Sequence, residues 1–285
     1  MESFMNTKSK KMTARTRIQN GFVHLFLIFF SVVIVYPLFW MINQSVKVSS
    51  EMYTNPWGLP KQIVLENYKL AWIEAKMGLY LFNSVKVTII TVLGVLVISA
   101  MAAYAFSKFK FWGNKVIFYI FVMSLMLPVP IISLYSVVSG LGLINTHSAL
   151  TLPYIANGLP MSIFLLKPFF DSIPNEIEES ARIDGCSSVR IFAQIIIPLS
   201  KAGLATVTIF QTMGAWNEFQ IALIFIHKQV LRTVPLGLQT FFMENSTDWP
   251  QLFASLCLVT IPIFIVYAIM QKQFIEGMMA GAVKM

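Results

Sequence analysis

Residues 84–106 read SVKVTIITVLGVLVISAMAAYAF, a run dominated by apolar side chains. A helix of this length crosses the roughly 30 Å hydrocarbon layer of a membrane, which takes about 20 residues. Runs of similar length recur, and we predict six membrane spans from them. The predicted spans are 21–42, 84–106, 116–138, 149–166, 202–226 and 252–270. Pro128 and Pro130 in the third run, and Pro153 and Pro160 in the fourth, predict kinks.

The composition also indicates a membrane protein. Hydrophobic residues make up 56% of the 285 residues and charged residues 12%, whereas a soluble domain carries about 25% charged residues. We therefore predict an all-α membrane protein with six transmembrane helices. Its predicted parts are a basic cytoplasmic tail (1–20), the first span (21–42), an extracellular loop (43–83), a core transmembrane domain (84–270) and a cytoplasmic tail (271–285).

The lysine and arginine residues predict how these spans are oriented. Six spans place both termini on one side, and fourteen of the 21 basic residues then fall on that side. Basic residues concentrate in the cytoplasmic loops of membrane proteins. We therefore expect both termini in the cytoplasm and the chain in the plasma (inner cell) membrane. The same asymmetry explains the net charge of +8 without a nucleic-acid partner.

Motifs of enzymes that bind nucleotides or metals are absent from the sequence. There is no G-x-x-x-x-G-K-[ST] phosphate loop, no H-E-x-x-H and no G-x-S-x-G. The three histidines, His24, His147 and His227, are far apart and lack metal-ligand spacing. We therefore predict no catalytic residue, no metal and no cofactor on this chain itself.

The predicted fifth span carries a polar stripe. Gln211 and Glu218 are seven residues apart and so share one helix face. Trp216 and Asn217 lie beside that face. Polar groups at membrane depth must face protein or water. The stripe is therefore either a contact between helices or the wall of a translocation path, and in the second case all four residues are path candidates.

A polar gap at residues 174–198 separates two predicted spans. Pro174 and the acidic residues that follow it suit the first turn of a helix. Gly185 allows a positive φ and a sharp turn, and Ser187 or Ser188 can cap a second helix with an apolar face. The pattern predicts a helix–Gly–helix elbow. Its apolar face must pack either on the chain's own cytoplasmic ends or on a partner.

The same segment resembles the cytoplasmic docking motif of ABC importer permeases, which reads E-A-A, three residues, Gly, nine residues and I-x-L-P. The motif falls on Glu179, Ser180, Ala181, Gly185, Ile195 and Pro198, and Asp184 just before the glycine also fits the sugar-importer version of the motif. Two positions depart from the motif, with Ser180 in place of Ala and Ile197 in place of Leu. The resemblance implies that this segment docks a separate ATPase.

Further motifs extend the resemblance over most of the chain. Residues 216–219, WNEF, match a recurrent fifth-span motif, and residues 232–238, RTVPLGL, resemble the outer loop that follows it. Residues 277–284, GMMAGAVK, resemble the G-x-x-A-G-A-V-K ending of carbohydrate permeases. Together these motifs resemble the second permease subunit of maltose-type oligosaccharide ABC importers, carbohydrate uptake family 1.

The resemblance implies a set of partners. Such importers pair two homologous permeases with two ATPase subunits and an extracellular solute-binding protein. ATP and magnesium are then expected on the ATPases, and closure of the ATPases would push the helix at 175–183. The tail at 277–285 is expected to reach the ATPases. Glu244, Asn245 and Ser246 are candidate contacts for the binding protein.

Two alternatives to a sugar or oligosaccharide importer stay open at this point. One is an ABC permease for another solute, such as a glycerol-phosphate-type compound. The other is an ion-coupled secondary carrier, which needs buried acids or broken-helix ion sites. Glu218 is the carboxylate that lies well within a predicted span. Co-purification of ATPase and binding-protein subunits would distinguish these classes.

Overall fold

The computed structural model describes residues 14–242 and 248–282, and it describes side chains for 20–242 and 248–272. Within these ranges, every regular element is helical. The α-helices are α1 (Ala14–Ser45), α2 (Ser49–Thr54), α3 (Glu66–Ile73), α4 (Met77–Lys108), α5 (Asn114–Ser124), α6 (Ile131–Gly140), α7 (Ser148–Asp171), α8 (Asn175–Ile183), α9 (Ser188–Ile191), α10 (Ile197–Leu199), α11 (Lys201–Asn217), α12 (Gln220–Phe225), α13 (Val234–Leu238) and α14 (Trp249–Ala282). A π-helical turn, Phe192–Ile196, joins α9 to α10.

In the described part of the chain, four helical segments are long and apolar enough to cross a membrane. They are Asn20–Ser45, Met77–Lys108, Ser148–Asp171 and Trp249–Lys272. A fifth arises if Ser188–Leu199 and Lys201–Asn217, which meet at a bend of 78°, count as one span. The count falls short of the six predicted spans because the third and fifth predicted spans are broken helices.

The predicted third span, 116–138, is not one continuous helix. α5 ends at Ser124 and α6 begins at Ile131, so Pro128 and Pro130 fall in the gap between them. A proline lacks the backbone donor that a helix needs, and its ring clashes with the preceding turn. The sequence predicts a kink here, but two prolines this close break the helix. The apolar composition of 116–138 does not indicate such a break.

The predicted fifth span, 202–226, breaks at Glu218 and Phe219, between α11 and α12. Glu218 accepts hydrogen bonds from the backbone N–H groups of Ile221 (2.7 Å) and Ala222 (3.2 Å). The carboxylate thereby satisfies donors that the start of α12 leaves without helical partners.

α7 runs unbroken through its prolines. Pro153, Pro160 and Pro168 all lie inside Ser148–Asp171. Membrane helices tolerate such residues where neighbouring helices and side chains satisfy the freed backbone groups. α7 has that support because it packs along α4 over much of its length.

α4 lies at the centre of the bundle, between α7 and α11, and α11 also packs on α14. A buried apolar cluster joins the C-terminal half of α4 to α7, α8 and the π-helical turn, and it includes Val95, Phe170 and Ile196. Two further clusters lie towards the opposite end of α4, around Tyr154 and around Tyr80. The elbow residues and the loops beyond α12 therefore lie at opposite ends of one packed bundle.

α1 is attached to the bundle mainly through its C-terminal end. Its apolar side chains from Phe22 to Phe39 are largely exposed, whereas Asn43, Gln44 and Ser45 are buried. Asn43 donates a hydrogen bond to the Gly58 carbonyl (2.9 Å), and Gln44 donates one to the Pro56 carbonyl. α14 is the main helical neighbour of α1.

Candidate functional site

Two regions carry the polar groups that bear on function: the elbow (residues 174–198) and a cavity between α4, α7 and α11. The first elbow helix, α8, begins at Asn175, directly after Pro174. Glu176 and Glu178 lie in its first turn and Arg182 in its last turn. This order of charges matches the direction of the helix dipole.

Gly185 makes the turn after α8. Its φ is +80°, a conformation that costs residues with a Cβ atom about 1–2 kcal/mol. The backbone N–H of Cys186 donates to the carbonyl of Ala181 (2.9 Å) and closes the end of the helix. Ser187 then caps the next helix, because its Oγ accepts from the backbone N–H of Arg190 (3.3 Å). Helix α8, Gly185 and helix α9 therefore follow one another in this order along the segment.

One face of the elbow packs on the chain itself and the other is exposed. Ala181, Ile191 and Ile196 are buried in the cluster that includes α4 and α7. On the other side, Ile183 is 87% exposed and Val189 is 77% exposed. The outward face of the elbow therefore presents apolar side chains beside charged ones.

The residues of the docking motif divide between these two faces. Glu179, Ser180, Asp184, Gly185 and Pro198 are exposed, Ile195 is half-buried, and Ala181 is buried. The glutamate next to Glu179 in sequence, Glu178, is buried and was not among the predicted site residues. Glu179 and Asp184 are thus free to meet a partner, whereas Ala181 packs within the chain.

Glu178 belongs to a buried polar cluster with two α4 residues. Its Oε2 accepts a hydrogen bond from the Tyr104 hydroxyl (2.9 Å), and its Oε1 lies 3.6 Å from the Lys108 ammonium. Lys108 also donates to the carbonyl of Ile173 (2.6 Å) and to Oδ1 of Asn175 (2.9 Å). The side chains of Lys108 and Glu178 are 6% and 7% exposed, so this ion pair is largely removed from water.

A cavity of about 380 Å³ opens between α4, α7 and α11. Both interrupted spans reach this cavity. Val129 and Ile131 lie at the interruption before α6, and Glu218 and Gln220 lie at the interruption before α12. Non-helical backbone at membrane depth is tolerated where it lines a cavity or is buried in protein. The remaining lining residues are Thr91, Tyr154, Asn157, Gly158, Met161, Phe210, Gln211, Gly214, Ala215 and Ile221.

Glu218 is held firmly in the cavity wall. Beyond the two backbone N–H groups of α12, it accepts a hydrogen bond from the Tyr154 hydroxyl of α7. Gln211 links α11 to α7, donating to Ser162 Oγ (2.9 Å) and to the carbonyl of Gly158 (3.2 Å). A Cβ at Gly158 would lie 2.5 Å from Gln211 Oε1 and 2.9 Å from Val95 Cγ2, so a larger residue here would displace the Gln211 side chain.

The other two residues of the predicted stripe lie elsewhere. Trp216 is buried and faces a different, apolar cavity between α4, α11 and α14. Asn217 is exposed, and its amide donates to the carbonyl of Met213 in its own helix (2.9 Å). The structure thus brings Gln211 and Glu218 together on one cavity but separates them from Trp216 and Asn217. The predicted binding-protein contacts Glu244, Asn245 and Ser246 lie outside the described residues.

A cavity that combines apolar walls with several polar side chains, at the meeting point of broken helices in an apolar bundle, is typical of membrane transport proteins. Residues 94–279 match the family described as binding-protein-dependent transport system inner membrane component. The chain belongs to this family.

Similar proteins extend the match beyond those residues. The protein named "Probable ABC transporter permease protein YurM" of Bacillus subtilis is 40% identical over 264 residues, which cover 92% of this chain and 88% of that protein. The galactooligosaccharides transport system permease protein GanQ of Bacillus subtilis is 34% identical over 281 residues, covering 96% and 98%.

A solved structure has the same fold. It is the crystal structure of a bacterial ABC transporter involved in the import of the acidic polysaccharide alginate. One of its chains superposes with a TM-score of 0.80 at 22% sequence identity, covering 92% of this chain and 99% of the other. This chain therefore shares its overall fold with that chain.

Proposed function

We propose that this chain is the permease subunit of an ATP-driven importer that moves a sugar or oligosaccharide into the cell. The observation that carries the proposal is the cavity lined by Tyr154, Asn157, Gln211 and Glu218 within an otherwise apolar bundle. A sugar presents many hydroxyl groups, and these four side chains offer both donors and acceptors. The name of the galactooligosaccharide relative supports the same class of substrate.

The proposal includes six membrane spans with both termini in the cytoplasm. α5 and α6 together make the third span, and α11 followed by α12 makes the fifth. The charge asymmetry supports this orientation. Cysteines introduced at Thr7 and Ala282 are expected to react with impermeant reagents only from the cytoplasmic side, and one at Asn245 only from outside. The opposite pattern would remove the elbow from any cytoplasmic ATPase.

The elbow is the proposed docking site for the ATPase. Its exposed face supports this role, since Ile183 and Val189 offer apolar contacts and Glu179 and Asp184 offer charges. Gly185 sets the direction of α8, and the buried Ala181 with the half-buried Ile195 keeps the elbow seated on α4 and α7. Pro198 lies in α10, next to the bend into α11.

The proposed complex contains this chain, a second homologous permease, two ATPase subunits with ATP and magnesium, and an extracellular solute-binding protein. Glu244, Asn245 and Ser246 are the proposed contacts for the binding protein. Gln211 and Glu218 are proposed to line the sugar path. Trp216 and Asn217 are weaker candidates, because they face away from the cavity.

Reconstitution of the complex in liposomes tests the function. Uptake would be measured for a galacto-oligosaccharide, an alginate oligosaccharide and glycerol 3-phosphate, with and without ATP. We expect ATP-dependent uptake of at least one oligosaccharide and no ATP hydrolysis by the isolated chain. Uptake of glycerol 3-phosphate alone would overturn the carbohydrate assignment. Uptake by the isolated chain that follows a sodium or proton gradient would overturn the ABC mechanism.

Two substitutions test, in the same assay, whether the cavity lies on the sugar path. Glu218→Ala removes a cavity carboxylate and the cap of α12, so we expect a change in uptake rate or in the preferred sugar. Asn217→Ala, one position away, is expected to have a smaller effect because its side chain lies off the cavity. If both changes merely reduce expression of the complex, the polar stripe is a structural contact between helices.

A further inference from the structure

We infer that Tyr104, Lys108 and Glu178 form a joint that transmits movement of α8 to α4. The three are positioning residues for ATP-coupled transport. The inference rests on the proposed function, because it takes α8 as the helix that the ATPase moves. The docking residues form the outer face of α8, whereas the joint lies on its inner face.

One face of α8 is buried against the chain and another is exposed. Glu178 and Ala181 are three residues apart, share one face and are buried. Glu179 and Ile183 are four residues apart, share another face and are exposed. A push on the exposed face therefore reaches the rest of the chain through the contacts of the buried face.

Lys108 holds the start of α8 at three points. Its ammonium group has three donors, and it faces the Ile173 carbonyl at 2.6 Å, Asn175 Oδ1 at 2.9 Å and Glu178 Oε1 at 3.6 Å. Ile173 precedes α8, Asn175 is its first residue and Glu178 lies at the end of its first turn. The first turn of α8 therefore moves together with the C-terminal end of α4.

Tyr104 adds a second attachment one helical turn earlier on α4. Its hydroxyl donates to Glu178 Oε2 at 2.9 Å. Its ring lies against Phe170 of α7 and Phe192 of the π-helical turn, with centroid distances of 6.2 Å and 5.1 Å. These two rings hold the Tyr104 side chain in place beside Glu178, and the close packing resists sliding of α8 across α4.

α4 connects this joint to the cavity. Thr91 of α4 lines the cavity, and Lys108 follows it 17 positions later in the same helix, a distance of about 25 Å. α4 contains no proline, so this stretch can act as one rigid element. A displacement of α8 at the joint thus reaches the cavity wall through a single helix.

The test compares uptake with ATP hydrolysis in the same liposomes, using the full complex and whichever panel oligosaccharide the unaltered complex takes up. Glu178→Gln keeps the size of the side chain and an acceptor for Tyr104 but removes the charge that faces Lys108. We expect normal ATPase association and a fall of about five-fold in sugar molecules moved per ATP hydrolysed. Tyr104→Phe removes one hydrogen bond, and we expect a fall of about two-fold.

Asp171→Asn is the matched control, since it breaks an exposed Lys–Asp pair on α7 at 2.7 Å. It is expected to leave the ratio of uptake to hydrolysis unchanged. The inference is overturned if Glu178→Gln and Tyr104→Phe both keep the ratio of the unaltered complex. If the unaltered complex itself shows no ATP-dependent uptake, the proposed function fails instead.

Lys108→Met combined with Glu178→Gln separates coupling from folding. The pair of neutral side chains removes both buried charges, so we expect the complex to assemble while the ratio stays low. Recovery of the ratio in this double variant would mean that the two charges matter for stability alone and would overturn the inference. Loss of assembly in all three joint variants would overturn it too, since the cluster would then be a folding element.

Discussion

Two tyrosine–glutamate pairs in this chain occupy different surroundings. Tyr104 donates to Glu178 beside the Lys108 ammonium, in a cluster of nearly buried side chains. Tyr154 donates to Glu218, whose other partners are backbone N–H groups of α12, and this pair faces a cavity. The glutamate of the first pair thus faces a lysine ammonium group, whereas the glutamate of the second pair accepts hydrogen bonds from the start of a helix.

This difference in surroundings indicates a different role for each carboxylate. A buried carboxylate with a lysine counter-charge fixes two helices together, because separating the charges in a low-dielectric interior is costly. A carboxylate held by backbone N–H groups at a cavity has its position fixed without a side-chain cation in the wall. Under the proposed function, the first arrangement links two helices mechanically, and the second offers polar atoms to the sugar.

Lys108→Met should give the largest effect, because it leaves the buried Glu178 carboxylate without its cation. Breaking one partner of a buried pair costs about 3–5 kcal/mol. We expect a marked loss of stability, measured by thermal unfolding of the detergent-purified complex. Adding Glu178→Gln should recover most of the loss. Equal stability of Lys108→Met and the unaltered protein would show that the pair is not truly buried.

Gly185→Val should give the next largest effect. A Cβ at this position would meet no atom within 4 Å, so the expected cost of about 1–2 kcal/mol comes from the backbone at φ +80°. Relief of that strain would redirect α8, and we expect weaker ATPase association in a pull-down. Gly142→Val is the control, since Gly142 has φ +68° with equally open surroundings but lies between α6 and α7. Similar losses for both glycines would mean that the elbow has no special role.

The two tyrosines give a paired test of moderate size. Tyr104→Phe and Tyr154→Phe each remove one hydroxyl, worth about 0.5–1.5 kcal/mol. We expect Tyr104→Phe to lower the stability of the complex, whereas Tyr154→Phe should act mainly on the sugar concentration that gives half-maximal uptake. A reversed pattern, with the sugar dependence altered by Tyr104→Phe, would contradict the division between mechanical and solute-facing pairs.

Asp171→Asn should give the smallest effect. The Lys167–Asp171 pair is exposed, with 24% and 43% of the side chains accessible, and such pairs contribute about 0–1 kcal/mol. The melting temperature of the complex should be nearly unchanged and nearly independent of salt. A loss as large as that of Lys108→Met would show that burial does not separate these two lysine–carboxylate pairs.

The sequence predicts the parts of this molecule that depend on local chemistry. The long apolar helices follow from length and composition, and α8 begins at Asn175 because Pro174 and the acidic residues suit a helix start. The positive φ of Gly185 follows from its place after a short helix. Gln211 and Glu218 share a cavity because seven residues make about two turns.

Features that depend on packing could not be predicted. Glu178 and Glu179 are adjacent and chemically identical, and only the fit of α8 against α4 decides which one is buried. Tyr104 lies within an apolar run and has no sequence signal for a polar role. The cavity forms where the breaks after α5 and α11 meet, and no single segment contains that information.

The contact between α1 and α14 joins the first and last described helices, and it bears on how the chain is made. About 200 residues separate Ser45 from Trp249, so at about 5–20 residues per second the ribosome needs about 10–40 seconds to supply the partner. During that interval α1 has no contact with α14, and its apolar side chains must keep it in the lipid. Its C-terminal end is already secured locally, since Trp40 donates to the Pro56 carbonyl (3.0 Å) and Asn43 to the Gly58 carbonyl (2.9 Å). Biosynthesis can therefore complete the loop that follows α1 long before the bundle closes.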